Sequence, residues 1–405
     1  MRLLRFLSLG MVLLAAGCVP FGDSPDGGKP AEAKFILKPA SFEALDGWAT
    51  ASLEPAFKAF LASCAVITNR SATDAMGGNA AYGLVSDWKP ACAAALQPGR
   101  AQSPDTARSF FMQWFSPVQV FNGEEGKGLF TGYYEPELEG HRVRTKEFNV
   151  PLYRRPTDLV EADLGQFRPA LKGERVAGKV VNGRLVPYLS RREIVSSGLG
   201  NASEPLVYVN DSAAAFFLQI QGSGRIKLKS GETIRAAYDG QNGHPYTAIG
   251  RVLVDRGEIP RPELSMQRIR QWMTENPEAA DDLMNENASY VFFKELPVGD
   301  PSKGADGAQG VPLTPSASLA IDLKFHALGA PLWVDARAPS EDANSEDVDF
   351  RHLFIAQDTG GAIRGPVRGD VYWGVGGKAE SIAGRMAHKG FLYILLPKPL
   401  AAKID

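Results

Sequence analysis

Ala356-Gln-Asp-Thr-Gly-Gly-Ala-Ile-Arg-Gly-Pro-Val-Arg-Gly-Asp-Val-Tyr-Trp-Gly374 is the stretch on which the reading of this chain turns. It sets Asp358 at a glycine turn and Asp370 at the head of a β-prone aromatic run. Two carboxylates on either side of a Gly/Pro-rich loop converge on one cleft when the flanking strands lie side by side. Paired carboxylates are the raw material of acid/base chemistry. Within Asp370-Val-Tyr-Trp-Gly374 side chains alternate, so Asp370 and Tyr372 share one face while Val371 and Trp373 share the other. An acid beside aromatic walls stays protonated toward neutral pH.

Outward from this stretch the chain alternates between helical and β-prone country. Phe57, Phe60, Leu61 and Cys64 recur at helical spacing, as do Ala107, Phe110, Phe111 and Trp114. The second of these helices has Ser103 as N-cap, Pro104 at its first position and Pro117 soon after its end. From Gly128 short β-prone runs follow: Leu129 to Tyr134, Val150 to Tyr153, Leu206 to Val209, Phe216 to Ile220 and Arg225 to Lys229. Their spacing predicts a small barrel or sandwich. Ser265 caps a later helix with Ile269, Trp272 and Met273 inward, and Asn276-Pro277 starts another. Pro301 to Gly310 reads as a flexible connection, and strands resume as far as Leu396.

The segments around the aspartates come in a definite order: Thr131-Gly-Tyr-Tyr134 with Pro136, Gln219-Ile-Gln-Gly-Ser-Gly224, Tyr238-Asp-Gly-Gln-Asn-Gly-His244, Asp255-Arg-Gly257 and Ser289-Tyr-Val-Phe-Phe293. With the Asp358/Asp370 block they resemble the membrane-bound lytic murein transglycosylase A family and its C-terminal three-aspartate domain. The likeness runs roughly from Gly128 to Leu396. It implies a mainly β fold with helices: a double-psi β-barrel domain (residues 41–135 plus 236–405), an inserted second β-barrel-like domain (136–235) and an N-terminal helical layer. Substrate would lie in the groove between the domains.

The same resemblance assigns Asp322, Asp358 and Asp370 as the three aspartates, with Asp370 as the catalytic acid. It implies non-hydrolytic cleavage of the β-1,4 bond between N-acetylmuramic acid (MurNAc) and N-acetylglucosamine (GlcNAc) by an exo-acting lytic transglycosylase of lyase type. Asp370 would protonate the glycosidic oxygen and then accept the proton of the muramoyl 6-hydroxyl, leaving a 1,6-anhydro end. Asp358, followed by Thr-Gly-Gly, reads as a turn former in a supporting or orienting role, and Asp322 likewise. Thr131, Tyr133, Tyr134, Gln219, Gln221, Ser223, Tyr238, Asn242 and His244 form the expected sugar groove. If Gln219 to Gly224 is a strand, Gln219, Gln221 and Ser223 share a face suited to hydroxyl and amide recognition. Two rivals stand beside this reading: a muramidase with Asp358 or Asp322 as second carboxylate, and a non-catalytic peptidoglycan-binding lipoprotein.

No cofactor or metal is called for. Gly222-Ser-Gly224 lacks the third glycine of a dinucleotide site, and the five histidines show no paired ligand spacing. A net charge of −2 over 405 residues supplies no basic field for nucleic acid. Arg154-Arg155 and Arg191-Arg192 read as solvated pairs.

Arg2 and Arg5 precede the apolar run Phe6 to Leu14, and Ala15-Ala-Gly-Cys18 follows, so residues 1–18 read as an export signal with a lipobox. Cys18 is then the lipidated residue, residues 19–40 a tether, and the periplasmic face of the outer membrane the location, with a soluble periplasmic form as the alternative. Partners on this reading are peptidoglycan glycan strands, outer-membrane lipid through Cys18, and cell-wall synthesis or division proteins. Cys64 and Cys92 remain as an even pair, a disulfide candidate in an exported chain, against the alternative of two small buried thiols.

Overall fold

Six strands close into a barrel in the computed structural model, which describes residues 33–97, 103–171, 175–300, 302–342 and 345–404. Their order is Ala387–Pro397, Pro331–Ala338, Val348–Asp358, Ser318–Ala320, Arg368–Val375 and Lys127–Glu135, the last pairing back onto the first. Two pairings are parallel, Ser318–Ala320 with Val348–Asp358 and Arg368–Val375 with Lys127–Glu135. Closure removes exposed strand edges.

Phe35–Pro39 and Phe115–Asn122 extend this sheet beyond Ala387–Pro397. The expected tether of residues 19–40 is therefore too long at its C-terminal end. Phe35-Ile-Leu37 places Phe35 and Leu37 against the barrel core, and apolar alternation of this kind pairs rather than swings free. The export signal, Cys18 and residues 19–32 lie outside the described residues.

The N-terminal helices pack where their apolar stripes dictate. In Glu54–Asn69, Phe57, Phe60, Cys64 and Ile67 are buried, joining barrel residues Trp333, Leu353 and Phe354 in one core. Ser103 caps Pro104–Trp114 by accepting from the Thr106 N–H. Cys64 and Cys92 are disulfide-bonded, linking Glu54–Asn69 to the neighbouring helix Val85–Ala95. Gln357, beside Asp358, donates from Nε2 to the Ala59 carbonyl and Ser63 Oγ, tying the helical layer to an aspartate-bearing strand.

The second unit is a six-stranded sheet in the order Val291–Pro297, Thr233–Gln241, Ser223–Leu228, Glu137–His141, Pro205–Val209 and Val150–Tyr153, with a separate three-stranded sheet, Val160–Asp163, Arg175–Val181 and Arg184–Pro187. The expected boundary at 235/236 falls inside Thr233–Gln241, which pairs with strands on both sides. The inserted sheet continues to Pro297. Pairing across the boundary has no local sequence signal, because the helices Ile249–Asp255, Met266–Glu275 and Pro277–Asn285 separate the two strands involved. As expected, Ser265 Oγ caps the second of these helices and Pro277 opens the third.

Phe216 to Ile220 is not a strand. Ser212–Gln221 is a helix whose first N–H groups, Ala213 and Ala214, are capped by Asp211 Oδ1, and which ends at Gly222 with φ +81°. Three alanines favour the helix, and the continuous apolar run is consistent with either state until its surroundings are known. Phe216 and Phe217 pack onto Leu253, Trp272 and Leu283, a surface that the three later helices provide.

The Pro301 to Gly310 connection is also ordered where described. Gly304, Gly307 and Gln309 donate backbone N–H groups to Leu313, Val311 and Gln357 carbonyls. A Cβ at Gly304 would come 2.3 Å from the Tyr372 hydroxyl, so only glycine permits this loop to lie on that ring. Among the described residues no helix is long and apolar enough to cross a membrane.

Candidate active site

Strand register assembles the site. Ala320 pairs with Asp358 on one side and with Asp370 on the other, and Asp370 pairs with Thr131. Four residues thus form one row across four adjacent strands. Paired residues point to the same face, and with strands about 4.8 Å apart the two aspartate backbones stand about 10 Å apart. The residue between them, Ala320, carries only a methyl group. On the opposite face Leu319, Val371 and Phe130 enter the core, so alternation separates a chemical face from a structural one.

The carboxylates are held differently. Thr131 Oγ1 donates to Asp370 Oδ1 at 2.6 Å, and Arg368 Nη2 donates to the same Thr131 oxygen at 2.8 Å. Arg368 also donates from Nη1 to the Leu129 carbonyl, so its guanidinium is fixed beside Asp370. Asp358 accepts three bonds: Tyr133 Oη on Oδ2 at 2.8 Å, and the N–H groups of Ala308 (3.0 Å) and Thr359 (2.9 Å) on Oδ1. Ala308 lies within Pro301 to Gly310, the stretch expected from sequence to be a flexible connection.

Asp370 is half-buried by accessible surface, yet its carboxylate is deeply set among protein atoms. Burial pushes its pKa up, against the Arg368 charge and the Thr131 hydrogen bond. Burial also raises Asp358, opposed by its three donors and reinforced by the Asp370 charge. Tyr133, buried and facing the Asp358 charge, is pushed well above the ordinary phenol value and so remains a donor. Its ring lies 5.3 Å from that of Tyr372, which completes the aromatic wall on the Asp370 side.

Asp322 makes its bonds elsewhere. Its oxygens accept from the N–H groups of Lys324 and Gly365, tying down the loop that connects the other two aspartates. His326 Nε2–H donates to the Pro366 carbonyl in the same loop, which leaves Nδ1 to accept from the Tyr82 hydroxyl. Burial lowers the pKa of this histidine to about 4.

A cavity of about 200 Å³ lies beside Thr131, walled by Gly132, Ala383, Gly384 and Met386 from the barrel and Gln221 and Met266 from the inserted unit. Tyr134 lines it as well; its backbone N–H donates to Gln221 Oε1. A Cβ on Gly132 would come 2.6 Å from the Trp373 indole, so glycine at this position lets the indole pack against the strand. Thr131, Tyr133, Tyr134 and Gln221 are therefore gathered at the aspartates and the adjoining cavity.

The other expected sugar-groove residues are not gathered there. Asn242 is fully buried and bonds Leu189, Ala288 and Tyr290 backbone groups, and His244 Nε2 meets the Tyr188 carbonyl. Tyr238 is half-exposed on the inserted sheet. Because Gln219 to Gln221 is helical, Gln219 and Gln221 do not share a face, and Ser223 begins the next strand. Arg368 escapes the sequence reading, although its position two residues before Asp370 puts both on one strand face. Ala308 carries no sequence signal, because its contribution is a backbone N–H. Among the described residues no cluster of three or more His, Cys, Asp or Glu could hold a metal ion.

A closed barrel with an inserted β-unit and a half-buried carboxylate pair next to a cavity lined from both units defines a carboxylate-based enzyme cleft. The MltA specific insert domain matches residues 129–294 and the 3D domain matches residues 317–396. Membrane-bound lytic murein transglycosylase A of Escherichia coli strain K12 is 35% identical over 284 residues, 69% of this chain and 68% of that protein. The corresponding protein of Vibrio cholerae is 29% identical over 319 residues, 78% of this chain and 74% of that protein. Among solved structures, a membrane-bound lytic murein transglycosylase from Agrobacterium tumefaciens superposes with a TM-score of 0.80 at 30% identity, covering 91% of this chain and 100% of that one. The E. coli transglycosylase with bound chitohexaose gives 0.62 at 28% identity, covering 93% and 98%. The chain belongs to the membrane-bound lytic murein transglycosylase A family and is a peptidoglycan lytic transglycosylase, a lyase.

Proposed function

We propose that Asp370 is the single general acid and base in cleavage of the MurNAc-β-1,4-GlcNAc bond, with formation of a 1,6-anhydro-MurNAc end. The observation that carries this reading is the unequal supply of donors to the two carboxylates. Asp358 accepts three hydrogen bonds and Asp370 accepts one. Donors favour the ionised form, so Asp358 is the better suited to hold a charge, while burial favours the protonated form of Asp370 against the single Thr131 bond and the Arg368 charge.

In the first step the Asp370 carboxyl protonates the glycosidic oxygen as the bond from C1 breaks, its electron pair passing to the leaving oxygen. Positive charge develops on the muramoyl C1 and ring oxygen. The Asp358 carboxylate, facing the same space, stabilises that charge electrostatically. Thr131 and Arg368 stabilise the Asp370 carboxylate formed on proton donation. That carboxylate then takes the proton of the muramoyl 6-hydroxyl while its oxygen closes on C1. No water has to be positioned, in contrast to glycosidases that work by a second placed carboxylate. Glycan strands would run past Thr131, Tyr134 and Gln221, and Cys18 would anchor the enzyme by lipid to the periplasmic face of the outer membrane.

The test is digestion of purified sacculi followed by mass analysis of the products. Wild-type enzyme should release fragments one water lighter than reducing-end fragments, and Asp370→Asn should release none while still binding chitooligosaccharides. Reducing ends would identify a muramidase, and binding without turnover by the wild-type protein a non-catalytic protein. Normal anhydro-product formation by folded Asp370→Asn would transfer the role to Asp358.

A further inference from the structure

Arg191 is not the solvated arginine that its sequence neighbourhood suggests. It is 4% exposed, with Nε donating to the Asn287 carbonyl at 2.9 Å and Nη2 to the Ser289 carbonyl at 2.6 Å. Its guanidinium lies over the rings of Phe216 and Tyr290, at 4.6 and 5.2 Å. No carboxylate among the described residues pairs with it, and Nη1 makes no hydrogen bond. Burial lowers its pKa to about 10, which leaves it charged at neutral pH. A buried charge without a counter-charge is costly.

This arginine lines a cavity of about 90 Å³ in the inserted unit, together with Gln219, Phe216, Val195 and Asp281. Gln219 is 6% exposed; its side chain approaches the Tyr290 hydroxyl, and its Oε1 is a buried acceptor that makes no hydrogen bond. Unsatisfied buried acceptors are rare enough to require a cause. One cavity thus offers an unpaired cation, an unpaired acceptor and an aromatic wall. Asp281, exposed at the rim, disfavours a ligand with a second carboxylate.

We propose that this cavity binds the carboxyl-terminal residue of a short peptide. The carboxylate would sit on Arg191 Nη1, the residue's amide N–H on Gln219 Oε1, and a small side chain on Phe216. The volume, equivalent to about three waters, admits a carboxylate and a methyl group. Position suggests the source. The helix Ser212–Gln221 carries Gln219 in this cavity and Gln221 in the cleft cavity, so the two sites lie within one helix length, about 15 Å. An extended peptide of about five residues spans that distance. Resting on the proposed glycan substrate, we assign the ligand as a peptide stem of the strand held in the cleft.

The experiment uses N-acetyl-D-alanyl-D-alanine and its C-terminal carboxamide as probes, and peptide-bearing and amidase-stripped glycan strands as substrates. The free acid should bind, the carboxamide at least tenfold more weakly, and Gln219→Leu should weaken both by a similar factor, because the amide N–H that Gln219 accepts is common to the two probes. Val195→Trp, at an exposed rim position, should close the cavity without disturbing the fold. It should raise KM at least fivefold on peptide-bearing strands and leave stripped strands unchanged. Equal binding of acid and carboxamide, or no binding of either, overturns the site. Binding of the acid with no substrate-dependent effect of Val195→Trp assigns the site to a free peptide and overturns the stem. Turnover of stripped strands reports on the catalytic reading alone, so the two readings can fail separately.

Discussion

Thr131→Val removes one oxygen and keeps the shape of the side chain, which makes it the sharpest probe of how Asp370 is tuned. The change deletes the 2.6 Å bond to Asp370 Oδ1 and leaves Arg368 Nη2 without its acceptor at 2.8 Å. A hydrogen bond to a charged group is worth about 1.5–3 kcal/mol. It acts on the carboxylate, the form of Asp370 that develops as the glycosidic oxygen takes the proton. Full expression of that loss in the transition state lowers kcat by about 10- to 150-fold. The pH dependence gives an independent reading. The hydroxyl opposes the upward push of burial on Asp370, so its loss raises the pKa further. Activity that requires a protonated acid falls as pH rises through that pKa, and this descending limb should move to higher pH in the variant. The assay is anhydro-product release from glycan strands across pH, with thermal unfolding alongside. Stability should fall by only about 1 kcal/mol, because the strand pairing is intact. A variant with wild-type kcat and an unmoved descending limb would refute the assignment of Asp370 as the titrating acid.

Three further outcomes are expected. His326, with a folded pKa of about 4 against an ordinary 6.5, contributes stability that is complete above pH 6.5 and is lost as pH falls toward 4. The difference in unfolding free energy between wild type and His326→Gln should therefore change by about 3 kcal/mol over that window, measured by denaturant titration. Opening the Cys64–Cys92 bridge, with its sequence separation of 28, should cost about 3.5 kcal/mol by loop entropy, read as a lower Tm in reductant or in Cys64→Ser/Cys92→Ser. Cys18→Ser should move the protein from the membrane to the soluble fraction without changing turnover, and wild-type protein found soluble and unlipidated would contradict the anchor.

Features governed by short-range physics are legible in the sequence itself. Ser103 and Ser265 announce helix starts because a cap acts on N–H groups two or three residues away. Asp370, Tyr372, Val371 and Trp373 divide between two faces because strand alternation is local. The three aspartates are legible by another route, as what the family resemblance implies, through motifs that each span only a few positions.

Tertiary structure decided what depends on distant partners. Ala214-Ala-Phe-Phe-Leu-Gln219 is compatible with strand or helix until Leu253, Trp272 and Leu283 supply a surface for the helix to bury against. Arg191 and Arg192 look alike in sequence. Yet one is enclosed by Phe216 and Tyr290, while the other pairs with Asp282 in solvent. Asp358 is distinguished from Asp370 by donors from Tyr133 and Ala308, which lie 225 and 50 residues away along the chain. Residue type determines which groups can carry a proton. Burial and hydrogen bonds brought together by barrel closure determine which of them holds it, because a carboxyl pKa responds to its neighbours in space and not to its neighbours in sequence.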